Sequence, residues 1–367
     1  MQRNGLQKCL ALVLLLCMAL SFSACSRSPY DLSPKGETRT VVDCLGREVK
    51  VPVEIKRVSC LYASTSHMMA MLDKGDLIIS AADGVRRDAL MLTKYPEIAK
   101  TSNPYNEGAI NIEELAKLEP DVVLMKRDVY ERESEREKLE KMKVPYLVVD
   151  YYTIDELKTA ITVMGNLFEE QEKAEEYLKY MDDTFVYVTE RVKDIPEDEI
   201  IHAYHSLNQA TVTDIERSFV AEIFKIANVG NVAVEAGLYD GTKNTQVTLE
   251  EIYNWDPDVI LCNEYLVTDY IKTQPRWASL RAVLEDRVYT LPIGATRWCH
   301  HGSMEPQMGA LYLAQLIYPD RFEDLDLPLL VHDYYLKYFN LDFDDETVEK
   351  ILTGRGMRET AADFVYE

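Results

Sequence analysis

Apolar residues in this chain fall into two alternating patterns. Short continuous runs, Val58–Leu61, Leu77–Ser80, 122–125 and Tyr146–Val149 in the first half and 259–262 and Val288–Leu291 in the second, read as strands covered on both faces. Between them apolar positions recur every three or four residues, the period of helices with one buried face. Strand and helix in alternation predict βαβ units with parallel sheets. One segment differs in length. Residues 169–193 contain neither Gly nor Pro and place Ala174, Tyr177, Met181, Phe185, Val188 and Val192 on one stripe, with Glu, Lys and Asp opposite. At the helical rise these residues would make a rod of about 37 Å.

The chain also repeats itself. Residues 111–125, NIEELAKLEPDVVLM, return as 248–262, TLEEIYNWDPDVILC, with six of fifteen positions identical. Each copy opens on a capping residue, Asn111 or Thr248, with Glu114 or Glu251 three places on, which together satisfy the free N–H groups of a helix start. Each helix stops at Glu119-Pro120 or Asp256-Pro257, because the residue before proline is driven out of the helical region, and a buried strand follows. One unit therefore sits in each half. The predicted fold is α/β: two Rossmann-like lobes with mainly parallel central sheets, joined by a single long helix, with a ligand cleft between them. The lobes are expected at 40–168 and 194–340, the connecting helix at 169–193, and a helical C-terminal tail at 341–367.

Composition narrows the partners. The 367 residues carry 40 Lys+Arg against 63 Asp+Glu, a formal charge of −23. Such a surface repels a phosphate backbone, which excludes nucleic acid as a partner. The first residues hold Arg3 and Lys8 ahead of an apolar stretch from Cys9 to about Phe22, then Phe22-Ser23-Ala24-Cys25. This is the layout of an export signal, 1–25, too short for a confident membrane span. The last four residues resemble a bacterial lipobox, with Phe22 where Leu is usual. That implies lipid on Cys25, anchorage at the outer face of the cell membrane, and a tether over 26–39 rich in Ser, Pro, Lys and Gly. Of the seven cysteines, Cys44, Cys60, Cys262 and Cys299 remain in the folded part, and spacing alone cannot pair them.

Several blocks together resemble the helix-linked (class III) solute-binding proteins of iron-siderophore, haem and cobalamin ABC importers. They are 41–52 (VVDCLGREVKVP), 57–61 (RVSCL), 72–78 (LDKGDLI), both Pro-Asp-Val repeats, 228–233 (NVGNVA), and Trp277-Ala278-Ser279-Leu280 ahead of Val288-Tyr289. The resemblance implies a monomer that carries a small-molecule metal complex to a membrane permease dimer driven by a cytoplasmic ATPase, with no catalytic step and no resident cofactor. It implies an iron chelate, haem or a corrinoid as bound ligand. It also assigns permease docking to Glu113 and Glu250, one on each lobe at the start of the repeated helix. The same carboxylates complement the helix dipole there, so both roles are open.

Ligands of open α/β sheets bind beyond the carboxyl ends of the strands. The loops there offer Tyr62 and Ser64, then Arg86 and Arg87, then Arg127, then Tyr265, and finally Arg297, Trp298, Cys299, His300 and His301. The arginines suit carboxylate or other anionic groups, and Tyr62 and Trp298 would give flat apolar walls. Core packing remains the alternative for Trp298, and a solvated pair the alternative for Arg86 and Arg87. Cys299, His300 and His301 have metal-binding side chains, but three adjacent residues rarely converge on one ion, so hydrogen bonding in the cleft is expected instead. Other functions stay open: a molybdate or tungstate binder of the same fold, an adhesin or sensor, or an extracytoplasmic enzyme. No GxSxG, HExxH or Walker motif supports the last.

Overall fold

The computed structural model describes residues 30–216, 218–237, 245–357 and 365–366; the expected signal and Cys25 lie outside them. The first two strands, β1 (Thr38–Val42) and β2 (Glu48–Pro52), form an antiparallel hairpin. Its turn is organised by Asp43, 3% exposed, which accepts the backbone N–H groups of Leu45, Arg47 and Val148 and the Arg47 guanidinium at 2.6–3.1 Å. The segment expected as a tether is docked well before residue 39. Leu32 donates its N–H to the Met142 carbonyl at 2.7 Å, Asp31 pairs with Lys143 at 2.7 Å, and Tyr30 and Leu32 pack on the N-terminal core. Two apolar side chains in an otherwise polar stretch suffice to fix it.

The N-terminal lobe continues with β3 (Val58–Cys60), α1 (Ala63–Met71), β4 (Ile78–Ser80), α2 (Ala89–Lys94), α3 (Ile112–Leu118), β5 (Val122–Met125), α4 (Glu133–Met142) and β6 (Tyr146–Val148). Its strands pair in parallel in the order β4-β3-β5-β6. Next come α5 (Ile154–Phe168) and the long α6 (Gln171–Val192). The C-terminal lobe holds β7 (His202–Ser206), α7 (Phe219–Ile226), β8 (Gly230–Asn231), α8 (Leu249–Trp255), β9 (Val259–Cys262), α9 (Tyr265–Thr273) and β10 (Val288–Thr290). Its parallel order, β8-β7-β9-β10, repeats that of the first sheet. Three helices close the chain: α10 (Pro306–Ile317), α11 (Leu327–Phe339) and α12 (Asp345–Thr353).

Local chemistry explains the repeated unit. Asn111 and Thr248 accept the N–H of Glu114 and Glu251 at 3.1 and 3.2 Å, and in the second copy Glu251 returns a bond to the Thr248 N–H at 2.7 Å. Glu119 and Asp256 leave the helices in the left-handed region, at φ 44° and 42°, so the prolines behind them start each strand cleanly.

A single apolar core runs through both lobes. It includes Val58 and Leu124 of the first sheet, Leu157 and Ile161 of α5, Tyr177 and Met181 of α6, Ala203 and Leu261 of the second sheet, Leu311 of α10 and Tyr334 of α11. The buried stripe of α6 is Ala174, Tyr177, Met181, Thr184, Val188 and Val192. Phe185, expected in that stripe, is only partly buried, and Thr184 takes the inner place with its hydroxyl bonded to the Tyr180 carbonyl at 2.8 Å. Separate cores cover the outer faces of the two sheets.

Replacing Asp43 by Ala leaves the Arg47 guanidinium and three backbone N–H groups without their acceptor. Urea unfolding should show a loss of about 3 kcal/mol.

Candidate functional site

The carboxyl ends of the strands from both sheets meet in one cleft. Tyr62, Ala63, Ser64 and His67 come from the turn after β3 and the first turns of α1, and Lys126 follows β5. These two strands are neighbours where the strand order reverses, the usual place for a ligand in such a sheet. The C-terminal lobe contributes Thr296, Arg297, His300, His301 and Gly302 from one loop. Together they enclose about 200 Å³.

The lobes are latched across this cleft. The Ser64 hydroxyl and the Tyr151 hydroxyl both donate to the Gly302 carbonyl, at 3.0 and 2.9 Å. The Ile154 N–H donates to Glu222 of α7 at 2.8 Å, and the Tyr151 ring lies 5.9 Å from that of Phe219.

Charge in the cleft is arranged in compensated pairs. The Lys126 ammonium stands 4.4 Å over the Tyr62 ring and acts on Asp150, whose carboxyl burial pushes up and whose two backbone donors, Arg127 and Tyr151, pull it back. Arg297 is paired with Glu264, the residue that precedes α9. His67 is held by Asp88 through Nε2 at 3.2 Å, and Asp88 also caps α2 by accepting the Met91 N–H. The His300 and His301 rings stack with centroids 4.0 Å apart. Burial, then the Lys126 charge, holds His301 below the ordinary imidazole range, so this ring is neutral at pH 7. The start of α1 adds backbone donors: Tyr62 precedes it without a side-chain cap, and no acidic residue occupies its first turn. A helix N-terminus left open in this way attracts an anion.

Five of the expected ligand residues, Tyr62, Ser64, Arg297, His300 and His301, thus line one cavity. The others do not. Trp298, expected as a cleft wall, is fully buried, with its indole N–H 3.4 Å from the Tyr335 hydroxyl and its ring edge-on to Tyr312. The loop turns it inward because a pocket of aromatic side chains from α10 and α11 waits beneath. Arg86 pairs with Asp83 at 3.1 Å and Arg87 is exposed, both outside the lining. Arg127 faces Glu156 at 3.5 Å and Tyr152, and Tyr265 lies under Arg355 at 4.9 Å. Cys299 is buried, its thiol pushed up by desolvation. Among the described residues no three His, Cys, Asp or Glu side chains are placed to share a metal ion, and the four cysteines are free. His67 and Lys126, which stand in the strand-following loops 62–67 and 126–128, and Thr296, beside Arg297, also line the cavity. The available signal was adjacency: Lys126 follows its strand immediately, as Tyr62 nearly does, and the two strands are neighbours.

Comparison with known proteins settles the family. The family profile described as "Periplasmic binding protein" matches residues 58–293. The chain belongs to the periplasmic binding protein family. Among curated members it is 24% identical over 351 residues to the molybdate-binding protein MolA of Haemophilus influenzae, covering 89% of this chain and 98% of MolA. The solved structure of MolA with molybdate bound shares the fold, with a TM-score of 0.74 and 23% identity over 83% of this chain and 99% of that one. An uncharacterized ABC transporter substrate-binding lipoprotein of Bacillus subtilis, YvrC, is 24% identical over 323 residues, 84% of this chain and 97% of its own. The relatives of this periplasmic binding protein thus include solute-binding components of ABC transporters.

Replacing Lys126 by Met removes the stronger of the two cationic influences on His301. NMR titration should then show its imidazole accepting a proton at higher pH than in the parent protein.

Proposed function

We propose that this chain is the capture component of an ABC importer for a compact tetrahedral oxyanion of the molybdate or tungstate kind. The observation that carries the reading is the cleft itself. Its volume of about 200 Å³ lies below the range of about 300–1,000 Å³ typical of drug-sized ligands, and it is smaller than a haem or corrinoid demands. Its lining suits an anion: the Lys126 ammonium, the Arg297 guanidinium, the Tyr62 hydroxyl, three imidazoles and the open start of α1. MolA, with the same fold, is named for molybdate. The iron chelate, haem and corrinoid ligands implied by the resemblance are given second place on size. The stacked His300 and His301 pair is the feature that favours a small ferric chelate among them.

Isothermal titration against molybdate, tungstate, sulfate, ferric citrate, haem and cobalamin tests the choice. Molybdate or tungstate should bind, and Arg297→Ala should weaken that binding about 100-fold, or about 2.8 kcal/mol. Binding of haem or cobalamin in preference to the oxyanions would overturn it.

The remaining roles belong to the same proposal. Lipid on Cys25 holds the protein at the outer membrane face, in keeping with the lipoprotein YvrC. Glu113 and Glu250 are both exposed in the first turn of the two repeated helices, available to basic pockets of a permease. Reversing both charges to Lys should abolish solute uptake by cells and leave solution affinity intact. Unchanged uptake would remove the docking role.

A further inference from the structure

Three of the cleft residues, Arg297, His300 and His301, stand on one loop whose two ends are joined by a single buried carboxylate. Glu305 is fully buried. One of its oxygens accepts the backbone N–H of Thr296 at 2.6 Å and the Thr296 hydroxyl at 2.8 Å, and the other accepts the Tyr335 hydroxyl at 2.6 Å. The loop reinforces the closure from within. The Met304 N–H donates to the Thr296 hydroxyl at 3.2 Å, and the Glu305 N–H to the Ser303 hydroxyl at 3.0 Å. The floor beneath is equally tied. Tyr177 of α6 donates to the Met304 carbonyl at 2.7 Å, lies 2.8 Å from the Tyr334 hydroxyl, and accepts from Gln307 at 3.1 Å.

We propose that Glu305 is a positioning residue of the ligand site: its ionised carboxylate closes the 296–305 loop and so sets where Arg297, His300 and His301 stand in the cleft. This rests on the reading of that cleft as the ligand site. A carboxylate suits the task because both of its oxygens only accept, and each of the three groups aimed at it can donate. A protonated carboxyl, or an amide, brings a donor of its own to a place crowded with donors.

The same burial makes the device sensitive to pH. The ionisable groups that face Glu305 are Tyr335 and Tyr334 of α11, Tyr177 of α6 and His67 of α1. Burial raises the Glu305 carboxyl above its ordinary range, and the Tyr335 and Thr296 donors and the His67 ring only partly offset this. The native protein therefore holds the proton at pH values where the unfolded chain has lost it. Protonation through that window stabilises the fold while it opens the loop closure. Stability and ligand affinity should move in opposite directions, which a purely structural role for Glu305 would not produce.

The test uses Glu305→Gln in the full chain, with oxyanion affinity by calorimetry, thermal unfolding, and fluorine NMR of fluorotryptophan at Trp298, which the loop carries against Tyr335. At about pH 7.5 the variant should unfold no earlier than the parent yet bind molybdate about tenfold more weakly. The parent's Trp298 resonance should drift toward the variant's as pH falls, and the variant's should stay flat. Tyr335→Phe removes one donor and should move the parent's midpoint to higher pH, an independent check if the Gln variant fails to fold. Parental affinity in Glu305→Gln, or an unchanged pH profile in both variants, overturns the proposal. A parent protein that binds no oxyanion while its Trp298 resonance still follows Glu305 sinks the ligand reading and leaves the positioning role standing.

Discussion

The arrangement depends on one shared apolar core. Each half of the cleft is carried by a different sheet, and among the described residues no strand crosses from one sheet to the other. What joins the halves is one apolar cluster in which side chains of α5, α6, α10 and α11 lie together with residues of both sheets. Interiors of this kind are dense and barely compressible, so the layer transmits position. The three hydrogen bonds that latch the cleft, two onto the Gly302 carbonyl and one onto Glu222, act on top of an alignment the core has already imposed.

Within that frame the cleft keeps its cations occupied. Arg297 is matched by Glu264, Lys126 acts on Asp150, and His67 is held by Asp88. An anion of the proposed kind would meet donors that are already ordered by carboxylates, so less side-chain freedom would be lost on binding, while the same carboxylates would repel it.

The sequence spoke clearly wherever a periodic or local rule operated. The strand runs, the helix stripe at 169–193 and the capped repeat at 111–125 and 248–262 each depend on near neighbours in the chain, and the structure contains them with trimmed ends, the helix as Gln171–Val192 with Thr184 in place of Phe185 on its buried side. The cleft depends on distant neighbours and was half legible. Tyr62, Ser64, Arg297, His300 and His301 were found because ligand loops follow strands. Trp298 was misplaced because nothing local reveals that Tyr312 and Tyr335 wait beneath it, and Glu305 went unseen because its three donors become close only when the loop folds back. Docking of the chain from Tyr30 was hidden in the same way, since it rests on Met142 and Lys143 more than a hundred positions on.

That early docking changes the mechanics of anchorage. If lipid sits on Cys25, only five peptide steps separate the bilayer from Tyr30, a reach of at most about 18 Å. The protein is then on a short leash, pinned near the end of α4, and it swivels over the membrane instead of roaming the space above it. Such confinement raises its effective concentration at any permease in the same membrane and makes each return from a delivery nearly intramolecular. The N-terminal residues would then govern how often solute is handed over.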